Sequence, residues 1–167
     1  MKRLGVAVVE DGQLVTIGTI GYELTGKAKF NEELNAAIDV VYESFARILR
    51  ERRPDEAAAE IVPLGHRLHN SEVLCGLMSV CKVMCRMNGI PWTDYGANTV
   101  KKLAAGRGNA SKAAVRAAIF QEWPEWQQRD KQVRERQRQE GAIHPEGYPW
   151  DAWDAAAVAL THTRSRA

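Results

Sequence analysis

A change of hydrophobic period near residue 30 constrains this chain more than any other feature. Ahead of it, two apolar, β-branched runs, Val6 to Val9 and Leu14 to Ile20, flank Glu10-Asp11-Gly12-Gln13. An Asp-Gly pair between two such runs predicts a β-hairpin, because tight hairpin turns need backbone angles that Asp and Gly tolerate. Beyond a polar linker at 25–29, Leu34, Ile38, Val41, Phe45 and Ile48 recur at three-and-four spacing. That period predicts an amphipathic helix over 31–52, followed by Pro54. Ala57 to Val62 then reads as a buried strand. A second helix is expected over 71–88, capped by Asn70 or Ser71 and stopped by Gly89, with Val73, Leu74, Leu77, Met78, Cys81, Met84 and Cys85 on its apolar stripe. Ile90 to Tyr95 reads as a further strand. Short helices over 97–105 and 111–122 flank Gly106-Arg107-Gly108-Asn109, and an alanine-rich helix over about 151–162 closes the chain. Strands interleaved with helices predict an α/β fold, a mixed β-sheet flanked by α-helices.

At 167 residues the chain is long enough for one domain with a sizeable core. No apolar run approaches the roughly 18–20 residues of a membrane span, and Met1-Lys2-Arg3-Leu4-Gly5 does not open a signal peptide. The expectation is a cytoplasmic protein with no membrane partner. The three cysteines, Cys75, Cys81 and Cys85, form no C-x-x-C pair, so they are expected to be small buried apolar groups. Net charge is only +2, but its distribution is uneven. Residues 1–100 hold 11 Lys+Arg against 13 Asp+Glu, whereas residues 101–167 hold 12 against 8. The basic excess therefore lies where a phosphate backbone could be gripped.

The chemistry-bearing pattern is acidic. Asp151 and Asp154 are three apart at the start of the last helix, so they project from one face, at the end whose dipole favours carboxylates. N-terminal capping alone would account for Asp151 equally well. Glu60 is the charged residue of an otherwise apolar run, Ala57 to Val62, where burial is costly unless it is paired, bound to a metal or at the strand end. Oxygen-only clusters of this type suit Mg²⁺ or Mn²⁺, and two such ions can assist phosphodiester hydrolysis.

Three stretches together resemble the RuvC-type Holliday junction resolvases of the RNase H-like superfamily. Pro54-Asp55-Glu56-Ala57-Ala58-Ala59-Glu60 is similar to that family's strand bearing its second catalytic carboxylate. Tyr95 through Val100-Lys101 to Gly106-Arg107-Gly108-Asn109-Ala110-Ser111-Lys112 is similar to its Tyr…Val-Lys…Gly-x-Gly-x-Ala-x-Lys stretch. Asp151 to His162 is similar to its terminal Asp-Ala-x-Asp-Ala…His helix. The resemblance implies one RNase H-like nuclease domain over 1–167 and a metal-dependent endonuclease that resolves branched DNA in recombination and repair. It implies Glu60, Asp151 and Asp154 as metal ligands for two Mg²⁺ or Mn²⁺ ions and Lys112 as a catalytic lysine. It further implies Lys101, Lys112, Arg107 and Asn70 as DNA contacts, and a homodimer, since two symmetric cuts need two sites.

The sequence departs from the family in three places. The family's opening strand, ending in Asp-Pro-Gly with the first catalytic Asp, has no counterpart here. Either the natural start lies upstream, which is the favoured expectation, or the chain is a non-catalytic branched-DNA-binding protein. The loop Pro63 to Asn70 lacks an aromatic wedge, and Leu64 or Leu68 is expected to pack within the loop or to serve as the apolar substitute. Residues 123–149 form a charged insertion, read either as a solvated helix or as a clamp on a DNA arm. Within it, Trp123 and Trp126 are expected to pack on the fold or to stack on bases. An actin-like ATPase would need glycine-rich phosphate loops in two halves, and the chain offers one weak candidate.

Overall fold

The computed structural model describes residues 2–24, 30–62, 68–143 and 146–166. Lys2–Glu10 (β1) and Gln13–Tyr22 (β2) pair as a hairpin. Its turn residues, Asp11 and Gly12, both have positive φ, 49° and 76°, the signature of the type I′ turn whose twist matches its strands. Phe30–Arg52 is α1. It stops where Arg53 turns left-handed (φ 44°) and sends its N–H to the Leu49 carbonyl at 3.0 Å; Pro54 follows and cannot extend the helix. The remaining elements are β3 (Ala57–Glu60), α2 (Leu68–Met87), β4 (Trp92–Tyr95), α3 (Ala97–Ala105), α4 (Lys112–Glu122), α5 (Glu125–Gln139) and α6 (Trp150–Arg166). The fold is α/β, as the alternation of periods predicts.

Three expectations shift. The predicted single sheet is present, among the described residues, as two ladders of two strands, β1–β2 and β3–β4. Each is closed by its own connection, a turn in the first and the α2 crossover in the second. The Ala57 N–H donates to Pro91 O at 2.9 Å, so β3 and β4 meet start to start, as a parallel pair does. Both of these strands are also shorter than their apolar runs, ending β3 at Glu60 and starting β4 at Trp92. Finally, α2 begins at Leu68, so positions 70 and 71 lie inside its first turn instead of capping it. Asn and Ser favour caps without barring a helix, and the stripe behind them decides its extent.

Two compact units divide the chain. The first comprises residues 1–3 and 20–94. In it α1 packs on α2, burying Ala37, Val41 and Leu49 against Val73, Leu77, Cys81 and Cys85. Leu49, Met84 and Cys85 also gather Phe45, Ala57, Ile90 and Trp92, which seats both strands of the second ladder on the two helices. The α2 stripe is therefore core. All three cysteines are free thiols, with Cys81 and Cys85 buried as expected and Cys75 half-buried.

The second unit comprises residues 4–19 and 95–167. Its centre is α6, which buries Ala152, Trp153, Ala156, Ala157, Val158, Leu160 and Thr161 and packs on α3 and α4. Its alanines allow close helix approach. Thr161 Oγ1 donates to Val100 O at 3.3 Å, and the Arg164 guanidinium reaches the Leu103 and Ala104 carbonyls at 2.9 and 3.0 Å, satisfying the end of α3. Trp123 and Trp126 are buried, and their indole N–H groups donate to Gly12 O (2.9 Å) and Leu14 O (2.7 Å) on the hairpin. The packing alternative thus holds for both indoles, and neither offers a face to a base. No helix among the described residues is long and apolar enough to cross a membrane.

Candidate functional site

α6 begins at Trp150, and the Pro149 carbonyl accepts from Ala152 N at 3.0 Å, closing its first turn. Asp151 and Asp154 both stand half-buried on that turn and the next, between the fully buried Ala152 and Trp153 and the buried Ala156. The buried residues fix which way the helix faces, so the two carboxylates are carried to its surface together. Lys112, the first residue of α4, is exposed and sends Nζ to Asp154 Oδ2 at 2.7 Å. With 57% and 45% of these side chains exposed, the pair contributes little to stability, under about 1 kcal/mol. What it does is hold an ammonium group against the carboxylate.

α4 is presented by the Gly106 to Ser111 connection. Gly106 is the left-handed cap of α3, its N–H reaching Lys102 O, and Ser111 caps α4 by accepting from Ala114 N at 3.2 Å. Arg107 is exposed in this connection, and Lys101 is half-buried on α3. Tyr95, at the end of β4, binds His162 Nδ1 (2.9 Å) and Ser165 Oγ (2.7 Å) through its hydroxyl, tying the other end of α6. Glu60 is the last residue of β3, half-buried and in the first unit. Among the described residues no group of three or more His, Cys, Asp or Glu side chains is placed to hold a metal ion. The structure therefore joins Asp151, Asp154 and Lys112 within the second unit. The expectations for Asn70, Leu64 and Leu68 concern side chains or segments outside the described residues.

Two supports of this helix start went unread in the sequence. Gly5 of β1 lies against the Asp151 backbone so closely that an added β carbon would fall far inside contact with the Asp151 carbonyl, and 3.2 Å from Ala155 Cβ. A glycine inside a strand pattern often marks such an approach, and that signal was available at Leu4-Gly5-Val6. The second support is the charged stretch itself. Asp130 of α5 is 4% exposed; it pairs with Arg134 at 2.9 Å and accepts from Tyr148 N at 3.0 Å. Gln137 receives Gly147 N (3.0 Å) and donates to Gly147 O (3.1 Å). Tyr148 then sits edge-on to both Trp126 and Trp153, with centroids 5.8 Å apart in each case. α5 thus grips the segment leading into α6; it is a docked strut as well as a charged surface.

A profile of the crossover junction endodeoxyribonuclease RuvC family matches residues 1–122. The chain belongs to that family. Among similar proteins of the same description, one from Afipia carboxidovorans is 27% identical over 97% of this chain and 81% of its own length. Another, from Geobacter sulfurreducens, is 30% identical over 81% of this chain and 71% of its own. The fold resembles that of a solved structure described as T. thermophilus RuvC in complex with Holliday junction substrate, with a TM-score of 0.69 and 20% identity, covering 98% of this chain and 87% of that one. The RNase H-like expectation for the fold is met, and the chain is a member of an endonuclease family. The profile match includes Glu60, Lys101 and Lys112 and stops short of α5 and α6; the match to the Afipia relative extends over nearly the whole chain.

Proposed function

We propose that the protein is a Holliday junction resolvase acting through Mg²⁺ or Mn²⁺, as one nuclease domain with a homodimer as the working form and the cytoplasm as its compartment. The observation that carries the reading is the Asp151–Asp154 pair at the start of α6 with Lys112 held against Asp154, in a chain of the RuvC family. In this reading Glu60, Asp151 and Asp154 hold the metal. Their oxygen-only donors suit a hard divalent cation. Two such ions, when bound, supply activation of water and stabilisation of the leaving oxygen.

The chain's own residues do the rest. The α6 amino end adds a positive potential where phosphate charge must be accommodated. Lys112 offers an ammonium group to a phosphate oxygen, and Lys101 and Arg107 extend the basic surface along α3 and its exit. Asn70 is the further DNA contact of the proposal. Exposed Val83 and Met87 on α2 support a subunit contact there.

The second reading is a branched-DNA-binding protein that does not cut. One experiment separates them. The protein is incubated with a labelled synthetic four-way junction in Mn²⁺, and binding and cutting are read in parallel. A version with an Asp-Pro-Gly strand added ahead of residue 1 is run beside it. Cutting by either form supports the resolvase, and binding without cutting by both supports the second reading. A folded protein that neither binds nor cuts would reject both.

A further inference from the structure

Arg116 projects from α4 one turn after Lys112 and one turn before Phe120, so the three share a face. Its guanidinium carbon lies 4.7 Å from the Trp150 ring centre and 6.0 Å from that of Phe120. Lys112 Nζ lies 5.9 Å from the same Trp150 ring. The two cations differ in one respect. Lys112 is paired with Asp154, whereas Arg116 has no carboxylate partner among the described residues. Trp150 itself remains 39% exposed and immediately precedes Asp151 in the chain.

We infer that Arg116 is a phosphate seat for the DNA strand that passes the Asp151–Asp154 end of α6, with Trp150 as the positioning platform that holds its guanidinium. The inference rests on the DNA-binding part of the proposed function. A guanidinium stacked on an aromatic ring has its face covered and its N–H edge free, which is the geometry for bidentate capture of a phosphate. Stacking also removes the freedom a long side chain would lose on binding, so less is lost when the phosphate arrives. A cation that no carboxylate engages keeps its charge for an incoming anion, and DNA supplies one at every nucleotide. Lys112 shares the ring and is paired with Asp154, so Arg116 adds to it a second charge beside the carboxylates, one that no carboxylate among the described residues engages.

The test reads binding, not cleavage. A fluorescent four-way junction is titrated with protein at several salt concentrations in the absence of divalent metal. For Arg116→Ala the expected result is affinity lower by about tenfold and a salt dependence shallower by about 0.9 in log K against log salt, one phosphate contact. Arg116→Lys should recover the salt slope but not the full affinity. Trp150→Ala should weaken binding, and Trp150→Phe, which keeps a ring face, should recover most of it. Should Arg116→Ala fail to fold, Arg116→Gln and the two Trp150 variants decide. A folded Arg116 variant with unchanged affinity and slope overturns the inference while leaving the proposed function standing. If the unaltered protein does not bind the junction, the proposed substrate is wrong. The same titration on duplex and single-stranded DNA then judges the seat alone, and no binding to either overturns it too.

Discussion

Gly5 and Asp151, 146 positions apart in the chain, lie back to back: the strand backbone at Gly5 occupies the space directly against the Asp151 carbonyl. Only the absence of a side chain permits this. Gly5→Ala forces strand and helix apart at the turn that carries Asp151. It is expected to destabilise the fold by about 1–3 kcal/mol, in the range of other overpacking substitutions. Urea denaturation checks this. An unchanged midpoint would mean that β1 does not press on α6 at that point.

The α5 strut can be tested through Asp130. Asp130→Leu leaves the Tyr148 N–H without its acceptor and Arg134 without its partner, at an expected cost of about 1–3 kcal/mol. Asp130→Asn keeps an acceptor oxygen and should lose less. Gly147→Ala should be worse than Asp130→Asn, because φ at Gly147 is 75° and an added β carbon would collide with the Asp130 carboxylate and come within 3.0 Å of Arg134 Nε. Thermal unfolding orders the three. Equal melting temperatures for all of them would show that the Gly147–Tyr148 segment is not held by α5.

Under the proposed function, Asp154→Asn should abolish junction cutting and leave junction binding within about twofold, because a neutral amide removes the metal ligand but little of the basic surface. Lys112→Met should change stability by less than about 1 kcal/mol, as expected for an exposed pair, while weakening junction affinity. Gel-based cutting assays and anisotropy titrations read the two effects separately. Retained cleavage by Asp154→Asn would remove Asp154 from the site.

The cysteines give a pH prediction. Burial, and then the neighbouring Cys85, push the Cys81 thiol from its ordinary 9.0 up to about 12; burial raises Cys85 as well. Both thiols thus stay protonated in the native state at a pH where the unfolded chain has begun to lose those protons. The contribution of Cys81 to stability is complete below pH 9.0 and declines as pH rises from there through about 12, and that of Cys85 declines in the same direction. At pH 8.5 iodoacetamide should label half-buried Cys75 first and leave Cys81 and Cys85 intact. Mass spectrometry of the labelled native protein decides, and equal rates at all three would contradict the burial.

Much of the local structure was legible in the chain because its causes are local. The Asp11-Gly12 turn, the three-and-four stripe of α1 and the Gly89 stop each depend on a few consecutive residues, and the structure has them where the pattern puts them. The Asp151–Asp154 spacing likewise placed two carboxylates on one helix face, and the motif order from Pro54 to His162 pointed to the family before any coordinates did.

Contacts between distant residues were not legible. Nothing in the period of α4 says that Arg116 will lie between Phe120 and a tryptophan 34 residues away, nor does the charge run of α5 show that Asp130 turns inward to hold Tyr148. Strand pairing was not legible for the same reason: alternation within a strand gives its faces, whereas which strands pair depends on chain closure over tens of residues. The sequence by itself determined the element types, the acidic pair and the family. Only the tertiary structure decided what stands against that pair: Gly5 behind Asp151, Lys112 on Asp154, and Arg116 with Lys112 against the Trp150 ring. Close packing, which acts between residues far apart in the chain, sets those positions.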